Sequence, residues 1–432
     1  MASRNVGRRR ADRKGNRRRA LDIPQGHGHG HGHGHGHGHG DHVVDTSVVN
    51  SDAVVARRVR IVVAAVLAPL ITAAVVLMIV LWPGGGVKVD SYQTSTARGE
   101  VTVMKACPDP KDKCDLATVK LSNGPDKGKT VPVQVPREGG GPIPVKVGQE
   151  VMLTIEKDAP PDQRYQYVDH DRIKPLLILT VIFAIAVVAL SRWRGFAALV
   201  ALAVTGVMLT QFILPAILGG SNPLLVAVVG GAVIMTIAVF LTHGINAESS
   251  IALAGTIAAL GLTVLLGWFF TGLSQLSGLA AEGASAAQGF APHLDLAGLL
   301  VAGIVIGALG VLDDVTVTQA AAVWELSAAN PAASRRELMS AGLRIGRTHV
   351  ASVVNTLVLA YAGAAMPVLL VFAIQDLPTL SVISTEAVAM EVVRGLVGSL
   401  GIIAAVPLTT ALAAMAVADR SRDLVATPEP PE

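Results

Sequence analysis

The chain has 432 residues, a formal net charge of +3, and 51% hydrophobic against 16% charged residues, with a mean hydropathy of +0.53. Soluble domains carry about 25% charged residues, so this composition excludes an ordinary soluble protein and points to a membrane. Two cysteines, Cys107 and Cys114, exclude a disulfide-built fold and fall short of the about four ligands a zinc ribbon needs.

Taken in chain order, residues 1–60 read as a basic, unfolded arm. Nine Lys and Arg fall between Arg4 and Arg19, and "QGHGHGHGHGHGHGHGD" follows. His27, His29, His31, His33, His35, His37 and His39 alternate with glycine, and His42 comes next. Imidazoles can bind Zn, Ni or Cu, but alternating glycine supplies no preorganised geometry. The tract is therefore expected to bind metal only weakly, and the sequence requires no cofactor. The arginines suit anionic lipid at the inner leaflet; with no folded module beside them, nucleic acid is not the expected partner.

An apolar run of about twenty residues spans a bilayer. The first is 61–82, read as an uncleaved anchor because it lies too deep for a secretory signal and ends in Trp82-Pro83. Residues 83–172 are polar, with short alternating Val, Thr, Ile and Leu runs between Gly, Pro and Asn-Gly turns. Strands are expected at 99–105, 116–121, 130–135 and 150–155, in a small β-barrel-like insert of OB or SH3 type. Cys107 and Cys114 bracket "PDPKDK" and are expected to staple this loop as a disulfide.

Seven more runs follow, at about 173–190, 196–218, 224–241, 250–270, 296–312, 350–374 and 392–416, giving an α-helical polytopic membrane protein of about eight spans. Arg192, Arg194, Arg335, Arg336, Arg344, Arg347, Arg420 and Arg422 share one side with the basic arm. By the positive-inside rule that side is cytoplasmic. Both termini are then cytoplasmic, with a tail at 419–432, the insert at 83–172 is extracytoplasmic, and the chain sits in the inner (cytoplasmic) membrane with a seven-helix domain at 173–418.

Ionisable groups inside spans are costly and suggest function. Asp313, Asp314, Thr316, Thr318, Gln319 and Glu325 lie at the end of the sixth span; Thr348, His349, Ser352, Asn355 and Tyr361 lie in the seventh; His243, Asn246 and Glu248 form a secondary cluster. Continued as helix, Asp314, Thr318 and Glu325 share one face, as do Thr348, Ser352 and Asn355. Two polar stripes meeting in a cavity open to the cytosol would suit a cation or a proton. The plainer alternative is that Asp313 and Asp314 sit at the water interface and cap the next helix. Gly303 and Gly307 stand four apart in the sixth span, the spacing at which helix backbones approach.

"GALGVLDDVTVTQAAAVWEL", "GRTHVASVVNTLVLAYAGAAMPVLLV", "EVVRGLVGSLGIIAAVPLTT" and "GINAESSIALAGT" together resemble the YibE/F family of bacterial membrane proteins. The resemblance extends from about residue 95 through 416. It implies architecture more than activity, and it aligns the family's recurring Asp with Asp313 or Asp314 and its Asn-Thr with Asn355-Thr356.

The expected function is transport of an ion or small solute, metal- or proton-linked, through Asp313, Asp314, Thr318, Gln319, His349, Ser352 and Asn355. The alternative is an envelope scaffold or sensor whose outer β-domain binds a partner. An intramembrane enzyme is disfavoured: Leu312 precedes Asp313 where a membrane aspartyl protease needs Gly, and no Ser/His pair, His-Glu-x-x-His or Gly-Lys phosphate loop is present.

Overall fold

The computed structural model describes residues 46–84, 95–107, 114–136, 144–156, 159–160, 163–375 and 377–425, with side chains from 61 to 417. The arm bearing His27 to His42 lies outside the described residues. From residue 47 on, the described residues form one compact unit.

Helix α1 is Thr46–Leu81. It begins well before residue 61, so 46–60 are helical where an unfolded segment was expected. Trp82, just beyond α1, stacks on Phe212 with ring centroids 5.5 Å apart.

The insert is a five-stranded antiparallel sheet: β1 Ser95–Ala106, β2 Cys114–Leu121, β3 Thr130–Pro136, β4 Glu150–Ile155 and β5 Tyr165–His170. Their order is β3-β2-β1-β4-β5. Alternate residues point inward, which buries Val101, Val119, Val133, Val151 and Leu153 in a core of the insert's own. A bulge between Val101 and Val103 bends β1, and the sheet curls until β3 comes near β5. The sequence reading missed β5, whose "YQYVDH" is too polar to stand out. Cys107 and Cys114 form a disulfide with Cα atoms 5.7 Å apart, joining the ends of β1 and β2. At the base of the sheet Arg98 reaches Asp171 at 3.5 Å, and Lys174 pairs with Glu150.

The apolar stretch Ile173–Leu218 is 46 residues long. Straight, it would reach about 70 Å. It is not straight: within α2 (Ile173–Met208) Arg192 takes φ 51 and ψ −126. A Cβ on Gly195 would strike the Val187 carbonyl oxygen at 2.5 Å, a contact only a chain that doubles back can make. A π-turn at Leu209–Ile213 leads into the short α3, Leu214–Leu218. The wider turn accommodates Pro215, which has no N–H to give to an α-helical ladder.

The remaining helices are α4 Pro223–His243, α5 Ala247–Leu273, α6 Ala284–Phe290, α7 Leu296–Ala329, α8 Arg335–Ala364, α9 Met366–Ile374, α10 Thr379–Ile383 and α11 Glu386–Val425. Six helices among the described residues are long and apolar enough to cross a membrane, or seven if α8 and α9, bent by 58°, make one span. The bend falls at Pro367, in the first turn of α9. This count takes 173–218 as one stretch despite its reversal at Arg192, and α8 with α9 as a broken one. α11 also continues as helix past residue 418, into the expected tail.

Helices α5, α7 and α11 pack against one another, with α4 laid on α7 and α8 on α11 and, less extensively, on α7. Their close approach rests on glycine. A Cβ on Gly255 of α5 would overlap Thr409 of α11, and one on Gly401 of α11 would overlap Thr263 of α5. The expected pair behaves differently: Gly303 has nothing within 4 Å of such a Cβ, and Gly307 faces the Tyr361 hydroxyl of α8. At the start of α11 the Glu386 carboxylate accepts hydrogen bonds from the Ser277 and Gly278 backbone N–H groups, each 2.7 Å, and from the Ser277 hydroxyl. This ties the loop after α5 to α11.

Candidate functional site

Helix α7 is unbroken for 34 residues, with Asp295 as N-cap and Asn330 as C-cap. Asp313 and Asp314 therefore sit midway along a helix, beyond the Leu312 end expected of the sixth span. They cap nothing: α8 starts instead with Ser334 and Glu337 in a reciprocal capping box.

The buried positions of α7 around the acids are Ala308, Leu309, Leu312, Val315, Thr316, Gln319, Ala320 and Val323, recurring every three to four residues on one face. Thr316 and Gln319 lie on it. The Thr316 hydroxyl meets that of Thr256 on α5, 2.5 Å away. Gln319 Nε2 donates to the Gly342 carbonyl of α8 at 2.9 Å and to Thr410 Oγ1 of α11 at 2.8 Å, so one amide ties three helices together. Gly346 leaves the room for it, since a Cβ there would lie 2.8 Å from Gln319 Oε1.

Asp313 stands at the edge of this face, half-buried. Its Oδ1 and the Nε2 of half-buried His349 are buried without a hydrogen-bond partner among the described residues. Both lie between two contacts that fix the α7 to α8 register, Gly307 with Tyr361 and Gln319 with Gly342. Helices α7 and α8 thus each carry one group, a carboxylate and an imidazole, with unused hydrogen-bonding capacity. A buried polar atom left unpaired costs about 1–3 kcal/mol, a cost that structural packing alone gives no reason to bear.

Other expected residues lie elsewhere. Asp314, Thr318 and Glu325 are exposed on the far side of α7, and Thr348, Ser352 and Asn355 are exposed on α8. Thr318 turns its hydroxyl back to the Asp314 carbonyl at 2.7 Å, and the Ser352 carbonyl accepts from Thr356 at 3.0 Å. The polar contacts that form are offset by one residue from those expected: Gln319 against Gly342 and Gly346 of α8, and Thr316 against Thr256 of α5.

In the secondary cluster, Asn246 caps α5 by accepting from the Ser249 N–H at 2.7 Å and donates to the His243 carbonyl at 3.0 Å. His243 Nδ1 lies 2.7 Å from the Thr242 hydroxyl. Those groups are occupied in ending α4 and starting α5, although Asn246 also lines a cavity of about 370 Å³ against Leu67 and Ile71 of α1.

Sequence reasoning missed Thr256, Thr409 and Thr410. The signal was present as the hydroxyl pair in "AVPLTT", but only helix packing selects Thr410 as the partner of Gln319. It also missed Glu391 and Arg394, an ion pair of 2.8 Å on α11 with both side chains about a quarter exposed. Among the described residues no three His, Cys, Asp or Glu gather as a metal centre would.

Long apolar helices, a separate curled sheet and a buried row of hydroxyl and amide groups define a polytopic, mostly helical membrane protein. Residues 179–419 match the family described as YibE/F-like protein, more than half of the chain, so it belongs to the YibE/F-like family. The match begins inside α2 and leaves the sheet outside, a narrower span than the resemblance from residue 95 implied. No curated protein matches the chain, and no solved structure does.

Proposed function

We propose that this protein moves an ion or small solute across the membrane, using Asp313 and His349 as exchanging groups at the α7–α8 interface. The observation behind the reading is the pair of unpartnered buried atoms, Asp313 Oδ1 and His349 Nε2, beside the Thr256, Thr316, Gln319 and Thr410 row. Ionisable groups in membrane helices are retained mainly where they bind, relay or couple. The path is proton- or metal-linked, and Asp313 rather than Asp314 is the working acid. The test is flux in vesicles containing the full chain, read with proton- and zinc-sensitive dyes. Asp313→Asn and His349→Ala should each abolish flux while Asp314→Asn retains it; full flux in both of the first two variants sinks the reading.

The topology proposed with it has eight spans, both termini in the cytoplasm and the sheet outside the cytoplasmic membrane. Its support is the reversal at Arg192, which divides 173–218 into two lengths that each suffice to cross, together with the arginine-poor opposite loops. The basic arm then lies against anionic lipid on the inner leaflet, and its His-Gly tract is at most a weak metal binder.

A second reading, an envelope scaffold or sensor, is favoured by two observations: the sheet has its own core, and a disulfide joins the ends of β1 and β2. The OB type proposed for it is supported by the return of β3 toward β5 in the curled sheet, and open barrels of that type bind ligands on their curved face. Affinity capture with the full chain and with a chain lacking 95–170 distinguishes the two. A partner lost on deletion while flux persists gives the sheet a binding role separate from transport.

A further inference from the structure

We infer that two copies of this chain associate in the membrane through the outer face of α8, with Asn355 of one copy bonded to Asn355 of the other. Thr348, Ser352, Asn355, Leu359 and Ala362 are all exposed, and they follow one another at intervals of four, three, four and three. That is the heptad spacing of a helix–helix seam. The seam lies on the opposite side of α8 from Gly342, Gly346 and Leu357, which are buried. Asn355 makes its exposure costly. A Cβ on Gly346 would meet Val406, and one on Gly398 would lie 3.2 Å from Leu357, so α8 and α11 run antiparallel. Asn355 therefore stands level with about residue 400 of α11, the middle of the apolar stretch Glu386–Val417. At that depth an unpaired polar group is expensive. A hydroxyl there can turn back to the carbonyl one turn earlier, as Thr356 does to Ser352 at 3.0 Å. The Asn355 amide makes no hydrogen bond among the described residues, and lipid tails offer it none.

Electrostatic self-complementarity selects a second copy as the partner. An amide side chain both donates and accepts, so two Asn355 side chains facing each other exchange N–H···O bonds, and each satisfies its twin. A two-fold pair sets the same surface of both chains face to face, which brings one Asn355 to the other. Two copies inserted in the same direction run their α8 helices parallel, as the heptad seam requires. None of the five seam residues is ionisable, so the faces approach without like-charge repulsion. Ser352 and Ala362 are small, which lets the two backbones come close, and Ser and Asn are the side chains that bond across membrane helices.

The test uses the full chain, in which an added cysteine is the one free thiol because Cys107 and Cys114 are bonded to each other. In membranes of the expressing cells, oxidation with copper phenanthroline should link Ser352→Cys and Leu359→Cys, which flank Asn355 on the seam, into a species of twice the chain mass. Leu265→Cys on α5, as exposed as Leu359, should stay unlinked. The strength of association is read in lipid vesicles, by energy transfer between copies labelled at Ser274→Cys at the end of α5 as lipid is added. Asn355→Leu should raise the dissociation constant about tenfold, the equivalent of one or two hydrogen bonds between membrane helices. Asn355→Gln keeps an amide and should lose less. Asn355 faces outward, so neither change disturbs the packing of the chain itself. Unchanged association in Asn355→Leu, equal linking at Leu265→Cys, or seam thiols linked only to a different polypeptide overturns the assignment. None of these readouts is flux, so the dimer and the proposed transport path stand or fall separately.

Discussion

Single side chains decide how the membrane helices are held. Gln319 bonds to both α8 and α11, and Gln319→Leu leaves the Gly342 carbonyl and the Thr410 hydroxyl each short of a partner. Hydrogen bonds between membrane helices are worth about 0.6–2 kcal/mol each, so unfolding in detergent should show a loss in that range or somewhat above it. Gly255 works by steric fit. Gly255→Ala should cost about 1–3 kcal/mol by overpacking against Thr409, and Thr409→Ala should restore much of it, read as recovery of the thermal midpoint in the double variant. In the sheet, burial and then the 2.7 Å bond that the Tyr165 hydroxyl donates to Asp126 push Tyr165 up to about 12 from its ordinary 10. A raised value means the stabilisation is complete below pH 10 and is lost as the pH climbs toward 12. Asp126 is held below the carboxylate range by Lys129 first and by Tyr165 second, so its contribution is present above its ordinary value and fades as acid protonates it. A tyrosinate titration of the full chain should contain a late step near pH 12 that Tyr165→Phe removes; an unchanged curve would refute the assignment.

At the scale of elements, periodicity was legible and continuity was not. Four of five strands were readable because β-branched residues alternate between turn residues, and β4, "EVMLTI", buries every second side chain. β5 was not, because its register is set by β4 rather than by its own pattern. The polar spacing after Leu312 looked like a span ending at water, yet α7 continues to Ala329 because Val315, Thr316, Gln319 and Val323 find partners on α5, α8 and α11. Tertiary contacts thus override the local hydropathy. The disulfide closes a short loop between β1 and β2. Loop-closure entropy puts its contribution at about 2–3 kcal/mol, so mild reduction should lower the unfolding midpoint of the sheet, seen as faster proteolysis between 95 and 170, while the helices stay protected.

For the whole molecule, the number of crossings turns on Arg192. If the chain reverses there inside the cell, Ser191→Cys, again the single free thiol, should react with a membrane-impermeant reagent in inside-out vesicles and not in right-side-out ones. A single long span through that point would bury the thiol and give no reaction from either side. The sequence by itself determined that this is a membrane protein with a separate polar insert, and which stretches are apolar, because hydropathy and charge are summed along the chain and need no partner. It also brought out the YibE/F-like resemblance and the polar residues worth weighing. Only the tertiary structure decided that Asp313 and Gln319 turn inward while Asp314 and Thr318 turn out, and that Glu391 pairs with Arg394. The reason is geometric: successive residues of a helix stand about 100° apart, so one position along the sequence separates a buried site from an exposed face. Which of the two is buried is set by the neighbouring helices, and no local pattern encodes their positions.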